Sequence, residues 1–280
     1  MAGVLVVGAS GYLGGAVARE LRAAGRRVVG TYCSRPTPEA DVEFDFWTDD
    51  VGSLADEHGA DAMVFAAAVE YGDDADTGAT DAGPDFERAA ERFARGCAGR
   101  RLVYVSSAAV FDGRRGRYPE DAERSPIDDY GRRLVTAEDL VAEHCDDAAI
   151  LRSSYLFGEG GGGLDHRLSR TREAVTAGES VAYFEDMYKS PLHVGEAARA
   201  VRALVAADAD GVVHAPAART SVYEFHRDAI AALGYDPSLV ERESMPDDPE
   251  LAPDRSLVSD RFVSLVGFEP STVTEALACD

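Results

Sequence analysis

Gly8, Gly11 and Gly14 stand three residues apart directly after the apolar run Val4 to Val7, and a stripe of Leu13, Val17 and Leu21 follows at once. That order predicts a buried strand, a glycine turn and an amphipathic helix that stops at Gly25, and the chemistry such a turn performs is anion binding. Gly8 lets the chain turn sharply. Gly11 lets backbone N–H groups approach a pyrophosphate with no side chain between, and Gly14 lets helix and strand pack closely. Gly8, Ser10, Gly11, Tyr12, Leu13 and Gly14 therefore form the first candidate ligand set, and the expected ligand is a dinucleotide. The alternative is a tight turn holding no ligand, and its position at the first strand of an alternating chain weighs against that.

A second group lies at the end of the next strand, Gly30-Thr-Tyr-Cys-Ser-Arg35. No acidic residue stands about 20 positions after the turn to accept ribose hydroxyls, which favours NADP and leaves NAD possible. Arg35 is suited to pair with a 2′-phosphate, and Ser34 to add a hydrogen bond. A surface arginine without a ligand is the alternative.

These residues need a frame. Apolar runs at 27–32, 42–46, 62–68, 102–106 and 148–152 alternate with helical patterns, the most regular being Phe86, Ala89, Ala90, Phe93 and Cys97. Alternation of this kind predicts an α/β chain, a Rossmann-type doubly wound parallel sheet with helices on both faces. Residues 1–157 are read as the dinucleotide-binding domain. Residues 158–280 are read as a smaller C-terminal substrate lobe, some of whose elements return to the first domain. The stretch 72–84, rich in Asp, Gly and Thr, reads as a solvated loop and 160–163 as a hinge. Helices are expected at 164–177 and 222–233, with a loose Pro/Asp-rich connection at 237–254 leading to a C-terminal helix.

The charge balance narrows the partners. There are 28 basic and 51 acidic residues, a net charge of −23, which argues against nucleic acid and anionic membranes. Lys189 is the only lysine; every other basic residue is arginine. This composition resembles salt-adapted proteins, and unscreened self-repulsion at low salt should oppose folding. No apolar run approaches the ~20 residues of a membrane span. Met1 to Val7 shows no basic leader, so a cytoplasmic protein is expected. Cys33, Cys97, Cys145 and Cys279 have no paired spacing and the histidines no ligand spacing. Neither a disulfide framework nor a metal site is indicated, and buried reduced thiols are expected.

The fifth apolar run continues as Val103-Tyr-Val-Ser-Ser-Ala-Ala-Val-Phe-Asp-Gly113, and Tyr130 follows within Ser125-Pro-Ile-Asp-Asp-Tyr-Gly-Arg-Arg-Leu134. With the glycine turn, Tyr118-Pro-Glu-Asp121, Leu151-Arg-Ser-Ser154, Ser190-Pro-Leu-His-Val194 and Val222-Tyr-Glu-Phe225, the chain resembles the extended short-chain dehydrogenase/reductases. Within them it is most similar to the dTDP-4-dehydrorhamnose reductase-like branch. The resemblance implies that Ser107 hydrogen-bonds a substrate oxygen, that Tyr130 passes a proton to it, and that a nicotinamide supplies hydride. A free phenol has a pKa of ~10, and the family lowers it with a lysine one helical turn later. Here that position is Leu134. Arg133 is the nearest substitute cation, and Lys189 another, though a solvated or substrate-loop role suits Lys189 better.

The same resemblance places Asp45, Phe46, Ala66, Ala67 and Ala68 around the adenine and pyrophosphate, and Arg152 and Ser190 on the substrate side. It implies an NADP-dependent reductase of a keto group on a nucleotide-activated 4-keto-6-deoxy sugar. Leu134 keeps open a degenerate dinucleotide-binding or regulatory protein of the same fold; a sugar-nucleotide epimerase or dehydratase is a further alternative. A homo-oligomer is possible.

Overall fold

The computed structural model describes residues 3–69, 85–160 and 163–278. The loop expected at 72–84, Gly161 and Gly162 of the expected hinge, and Cys279 lie outside the described residues.

Strand β1 (Gly3–Val7) is buried along its whole length, as a central parallel strand covered on both faces must be. The turn after it leads into α1 (Tyr12–Ala23), and then come β2 (Arg27–Tyr32), β3 (Val42–Glu43), α2 (Val51–Glu57), β4 (Ala60–Phe65), α3 (Asp85–Cys97), β5 (Arg101–Ser107), α4 (Asp129–His144) and β6 (Ala148–Ser153). The C-terminal part adds short strands β7 (Tyr155–Phe157), β8 (Glu159–Gly160) and β9 (Gly163–Leu164), then α5 (His166–Thr176), β10 (Val181–Phe184), β11 (Tyr188–Lys189) and β12 (Pro191–His193). It closes with α6 (Val194–Ala206), β13 (Gly211–His214), β14 (Thr220–Ser221), α7 (Val222–Ala232), β15 (Val240–Glu243), α8 (Phe262–Val266) and α9 (Val273–Leu277).

The main sheet has seven parallel strands in the order β13-β6-β5-β4-β1-β2-β3. The chain winds one way from β1 through β3 and the other way from β4 through β13, so β1 and β4 flank a switch point where a crevice opens at the carboxyl ends of the strands. One face is sealed by α1 and α6 around Val17, Leu21, Val201 and Leu204, the other by α3 and α4 around Phe65, Phe93, Tyr104 and Val141. The expected doubly wound sheet is present. Strand β13 rejoins it and helix α6 packs on it, with Leu192 of β12 and Phe262 of α8 in the same core, while α5, α7 and α9 enclose a separate core around Leu168, Phe225 and Leu277.

The C-terminal helices follow their local signals. Asp165 caps α5 by accepting from the Arg167 and Leu168 amides, and Ser221 and Glu224 cap α7 reciprocally. The expected loose connection at 237–254 is only partly loose: Val240–Glu243 pairs in parallel with β10, because Val240 buries against Ile230 and Val175. No helix among the described residues is long and apolar enough to cross a membrane.

Candidate active site

A cleft of about 940 Å³ opens over the carboxyl ends of β1, β2, β4, β5 and β6. On its nucleotide side the turn after β1 is set by backbone geometry. Gly8 takes φ +83, a left-handed conformation that side chains disfavour, and its carbonyl accepts from the Gly11 amide at 2.9 Å. A Cβ on Gly14 would stand 2.1 Å from the Gly8 oxygen, so only glycine lets α1 pack this closely on the turn. Thr31 at the end of β2 anchors the turn, its Oγ1 accepting from the Gly8 amide at 3.1 Å. Gly11 is the N-cap of α1 and provides no side-chain cap, which leaves the first-turn amides directed at whatever the cleft holds.

Gly8, Ser10, Gly11, Tyr12 and Leu13 line the cleft, as do Asp45, Phe46, Ala66, Ala67 and Ala68. Gly14 does not; its part is packing. Asp45 is held by its own loop, Oδ1 accepting from the Trp47 amide at 2.8 Å, and Phe46 is locked among Trp47, Phe65, Phe86 and Phe93. Ser34 and Arg35 stand on the exposed continuation of β2, just beyond Cys33, and are not among the lining residues. Cys33 itself is exposed on the rim, which corrects the expectation of a buried thiol; Cys97 and Cys145 are buried.

Across the cleft, Ser107 ends β5 and Tyr130 opens α4, and both line the same space. Ser107 Oγ accepts from the Ala109 amide at 3.2 Å, which fixes the side chain and leaves its hydroxyl hydrogen to donate elsewhere. Asp128 caps α4 by accepting from the Gly131 amide at 2.7 Å. A Cβ on Gly131 would lie 2.3 Å from the Ala109 carbonyl, so this glycine is what brings the first turn of α4 against the end of β5. The glycine beside Tyr130 was a legible signal of that approach, and the sequence reading did not use it.

Leu134, one turn after Tyr130, also lines the cleft and is 1% exposed, packed with Ala108, Val110, Phe111 and Leu257. It is apolar wall where the resemblance implied a cation. Arg133 does not replace that cation. It lies outside the lining residues, buried, with its guanidinium 5.9 Å from the Phe86 ring on the α3 side of the helix.

Arg152 and Ser190 require the same correction. Arg152 is 2% exposed; its guanidinium forms a two-pronged ion pair with Glu138, Nε to Oε1 at 2.8 Å and Nη2 to Oε2 at 2.6 Å, and approaches His214 Nε2 at 3.2 Å. Glu138 Oε1 also accepts from Ser106 Oγ at 2.6 Å. A buried guanidinium needs such partners, and Glu138, two turns along α4 from Tyr130, satisfies it inside the protein. Ser190 is fully buried, accepting from the Leu257 amide at 3.1 Å. Neither side chain lines the cleft.

Other residues line that side of the cleft: Ser154, Tyr155, Leu156, Asp165, His166 and Arg167. Arg167 lies 4.4 Å over the Tyr155 ring. Behind Tyr155, His226 is buried between the stacked Tyr183 ring and Thr171, whose Oγ1 is 2.9 Å from Nδ1, and burial pulls His226 down to about 3. Burial likewise raises the Tyr155 phenol well above its ordinary range and lifts Asp165. Lys189 is half-buried on β11, and burial with the neighbouring Arg255 and Arg167 holds its ammonium down to about 8. Of the solvated or substrate-loop role that the sequence favoured for it, full solvation is not what the structure shows.

The family model for the RmlD substrate binding domain matches residues 1–278. The probable low-salt glycan biosynthesis reductase Agl14 of Haloferax volcanii is 31% identical over 262 residues, covering 86% of this chain and 84% of that protein. A dTDP-4-dehydrorhamnose reductase of Mycobacterium tuberculosis is 32% identical over 191 residues, 64% of this chain and 62% of that protein. Among solved structures, dTDP-4-dehydrorhamnose reductase from Bacillus anthracis in complex with NADP superposes with a TM-score of 0.78 at 20% identity, over 99% of this chain and 98% of that one. A match that runs through the glycine turn, the Ser107–Tyr130 wall and the C-terminal lobe alike means that the chain belongs to the RmlD substrate-binding-domain family.

Proposed function

We propose that this chain is an NADP-dependent reductase of a keto group on a nucleotide-activated sugar, of the 4-keto-6-deoxy type, with NAD as a possible second cofactor. The observation that carries the reading is one cleft with the uncapped glycine turn on one wall and Ser107 and Tyr130 on the other. The names of the relatives support the same chemistry, and one fold neighbour was solved with NADP.

The turn fits a dinucleotide: Gly8, Ser10, Gly11, Tyr12 and Leu13 line the cleft, and α1 starts at Gly11 with no side-chain cap on its first-turn amides. Gly8 to Leu13 would hold the pyrophosphate, Ala66 to Ala68 would let the chain of the cofactor lie close, and Asp45 and Phe46 would border the adenine. When bound, the nicotinamide supplies the hydride. Ser107 donates to the keto oxygen, its acceptor side being taken by the Ala109 amide. Tyr130 delivers a proton to that oxygen as negative charge develops. Leu134 and Leu156 exclude water beside it.

Reduction requires the neutral phenol as donor, a form that needs no neighbouring cation, whereas oxidation requires the phenolate, which does. Leu134 therefore weighs against the oxidative direction more than against the reductive one. It also supports a second reading, a binding or regulatory protein that holds the dinucleotide without turnover.

The test is a titration with NADPH and NADH in concentrated potassium chloride, following nucleotide fluorescence and thermal stability together, then turnover of a 4-keto-6-deoxy nucleotide sugar. Tight NADPH binding with oxidation of NADPH by the keto sugar is expected. Binding without oxidation moves the conclusion to the second reading, and binding of neither nucleotide removes both.

A further inference from the structure

One side chain of the glycine turn reaches across to the C-terminal part of the cleft. Tyr12 is the first residue of α1, next to the uncapped Gly11, so its amide is one of those directed at whatever the cleft holds. Its phenol points elsewhere: Oη donates to the Gly158 carbonyl at 2.8 Å, between residues 146 positions apart. The ring lies against β8, where a Cβ on Gly160 would stand 2.3 Å from it, so the bare backbone of Gly160 is what admits the ring. Tyr12, Gly160 and Leu164 all line the cleft.

Gly158 is the junction at which that contact is passed on. It takes φ +105, and a Cβ there would stand 2.1 Å from the His193 ring, so the position holds only backbone. Its carbonyl accepts a second hydrogen bond, from the Asp165 amide at 3.1 Å, and its own amide donates to Asp165 Oδ2 at 3.3 Å. Oδ1 of the same carboxylate accepts from the Arg167 and Leu168 amides at 3.1 and 3.2 Å, which caps α5. Gly158 and Asp165 thus close a ring of hydrogen bonds that fixes where α5 begins. From there Asp165, His166 and Arg167 line the cleft. A continuous path therefore runs from the Tyr12 amide through its ring, Gly158 and Asp165 to the first turn of α5.

We propose that Tyr12 is a positioning residue that couples the two ligands: a dinucleotide held at the first-turn amides fixes the Tyr12 backbone, and the phenol, through Gly158 and Asp165, fixes the start of α5 on the sugar side. This rests on the nucleotide-sugar reading above and goes further by assigning the contact through which one ligand prepares the cleft for the other. Each ligand then favours the other, because whichever binds first has already ordered the junction that the second needs. Direct repulsion between two anions in one cleft acts in the opposite sense.

The experiment is calorimetric titration of the full chain in concentrated potassium chloride with dTDP-glucose and UDP-glucose, first without NADPH and then with NADPH at saturation. In the wild type NADPH is expected to tighten the sugar nucleotide about tenfold. Tyr12→Phe keeps the ring and removes the donor, and there the ratio of the two affinities should fall to about twofold or less. Gly160→Ala, at a backbone position outside the left-handed region, displaces the ring without touching the turn and should lower the ratio in the same way. A merely structural contact would weaken both titrations alike and leave their ratio as it was. Hydrogen exchange gives the second readout: NADPH alone should slow the Gly158, Asp165, Arg167 and Leu168 amides in the wild type and not in Tyr12→Phe. A wild-type ratio in Tyr12→Phe, no tightening in the wild type, or amides that NADPH affects alike in both proteins overturns the coupling and leaves the nucleotide-sugar reading standing. A Tyr12→Phe protein that NADPH no longer saturates assigns the phenol to the cofactor site and overturns it too. A wild-type protein that binds NADPH but neither sugar nucleotide overturns the substrate reading together with the coupling.

Discussion

On the nucleotide wall of the cleft the groups that face a ligand are mostly backbone, held open by Gly8, Gly11 and the small Ala66 to Ala68; on the opposite wall they are side chains, Ser107, Tyr130, Arg167 and their supports. The first wall tolerates little change at Gly8, where φ is +83 and a Cβ would stand 2.7 Å from the Ala67 backbone. The second carries Leu134 where the family resemblance implied a lysine, and the fold is intact around it. A binding wall made of peptide groups is thus coupled to the fold, whereas a chemical wall made of side chains can be rewritten residue by residue.

That contrast is open to test. Tyr130→Phe is expected to lower keto-sugar reduction by about 10²–10⁴-fold with NADPH affinity intact, measured as kcat and as nucleotide Kd. Loss of affinity instead would mean that the two walls are not separable. Arg152→Met should lower stability by up to about 3–5 kcal/mol, because buried Glu138 loses its two-pronged partner and keeps only Arg124 at 3.3 Å and the Ser106 hydroxyl, read from chemical denaturation. A raised KM with unchanged stability would return Arg152 to the substrate.

Gly11→Val should weaken NADPH by roughly 100-fold, about 2.7 kcal/mol, while the protein still folds. The backbone there is extended, at φ −82 and ψ 172, and a Cβ meets only the Gly8 oxygen at 3.2 Å. Retained affinity would take the pyrophosphate away from the turn. Leu134→Lys should raise the oxidative rate by about tenfold and the reductive rate less, because a cation one turn from Tyr130 favours the phenolate, as steady-state rates in both directions would show. If neither this variant nor Tyr130→Phe alters the rate, Tyr130 leaves the mechanism.

The smallest effect lies behind the side-chain wall. Burial holds His226 at about 3 and His214 at about 4. An unfolded histidine takes up a proton near 6.5, which the native ones refuse, so stability falls as pH drops from about 6.5 toward 4. His226→Gln should make that decline shallower by up to about 1.4 kcal/mol per pH unit in denaturation series. An unaltered slope would mean that His226 is not buried neutral between Thr171 and Tyr183.

Legibility followed the same division. The glycine turn, the alternation of strands and helices and the start of α7 were read correctly because each depends on neighbours in sequence: a strand, three glycines and a cap. Ser107 and Tyr130 were named through family resemblance, and Gly131 explains locally how they come to share a cleft. Arg133, Arg152 and Ser190 were placed by proximity in sequence or by motif, and each turned out to be buried against another element. Arg167 as a wall residue and the paired strand at 240–243 went unread, since each depends on an element distant in sequence, Tyr155 under the guanidinium and β10 beside the strand.

By itself the sequence determined the doubly wound frame, the glycine turn, the acidic arginine-based composition and the apolar residue at Leu134, because periodicity, glycine conformations and residue identity are local properties. Only the tertiary structure decided which charged side chains reach the cleft. A guanidinium goes where its desolvation is best compensated: for Arg152 that is Glu138 in the interior, for Arg167 the open face of Tyr155. No spacing along the chain encodes that choice, since the deciding partners come from elements that meet only when the sheet and the C-terminal lobe have closed on one another.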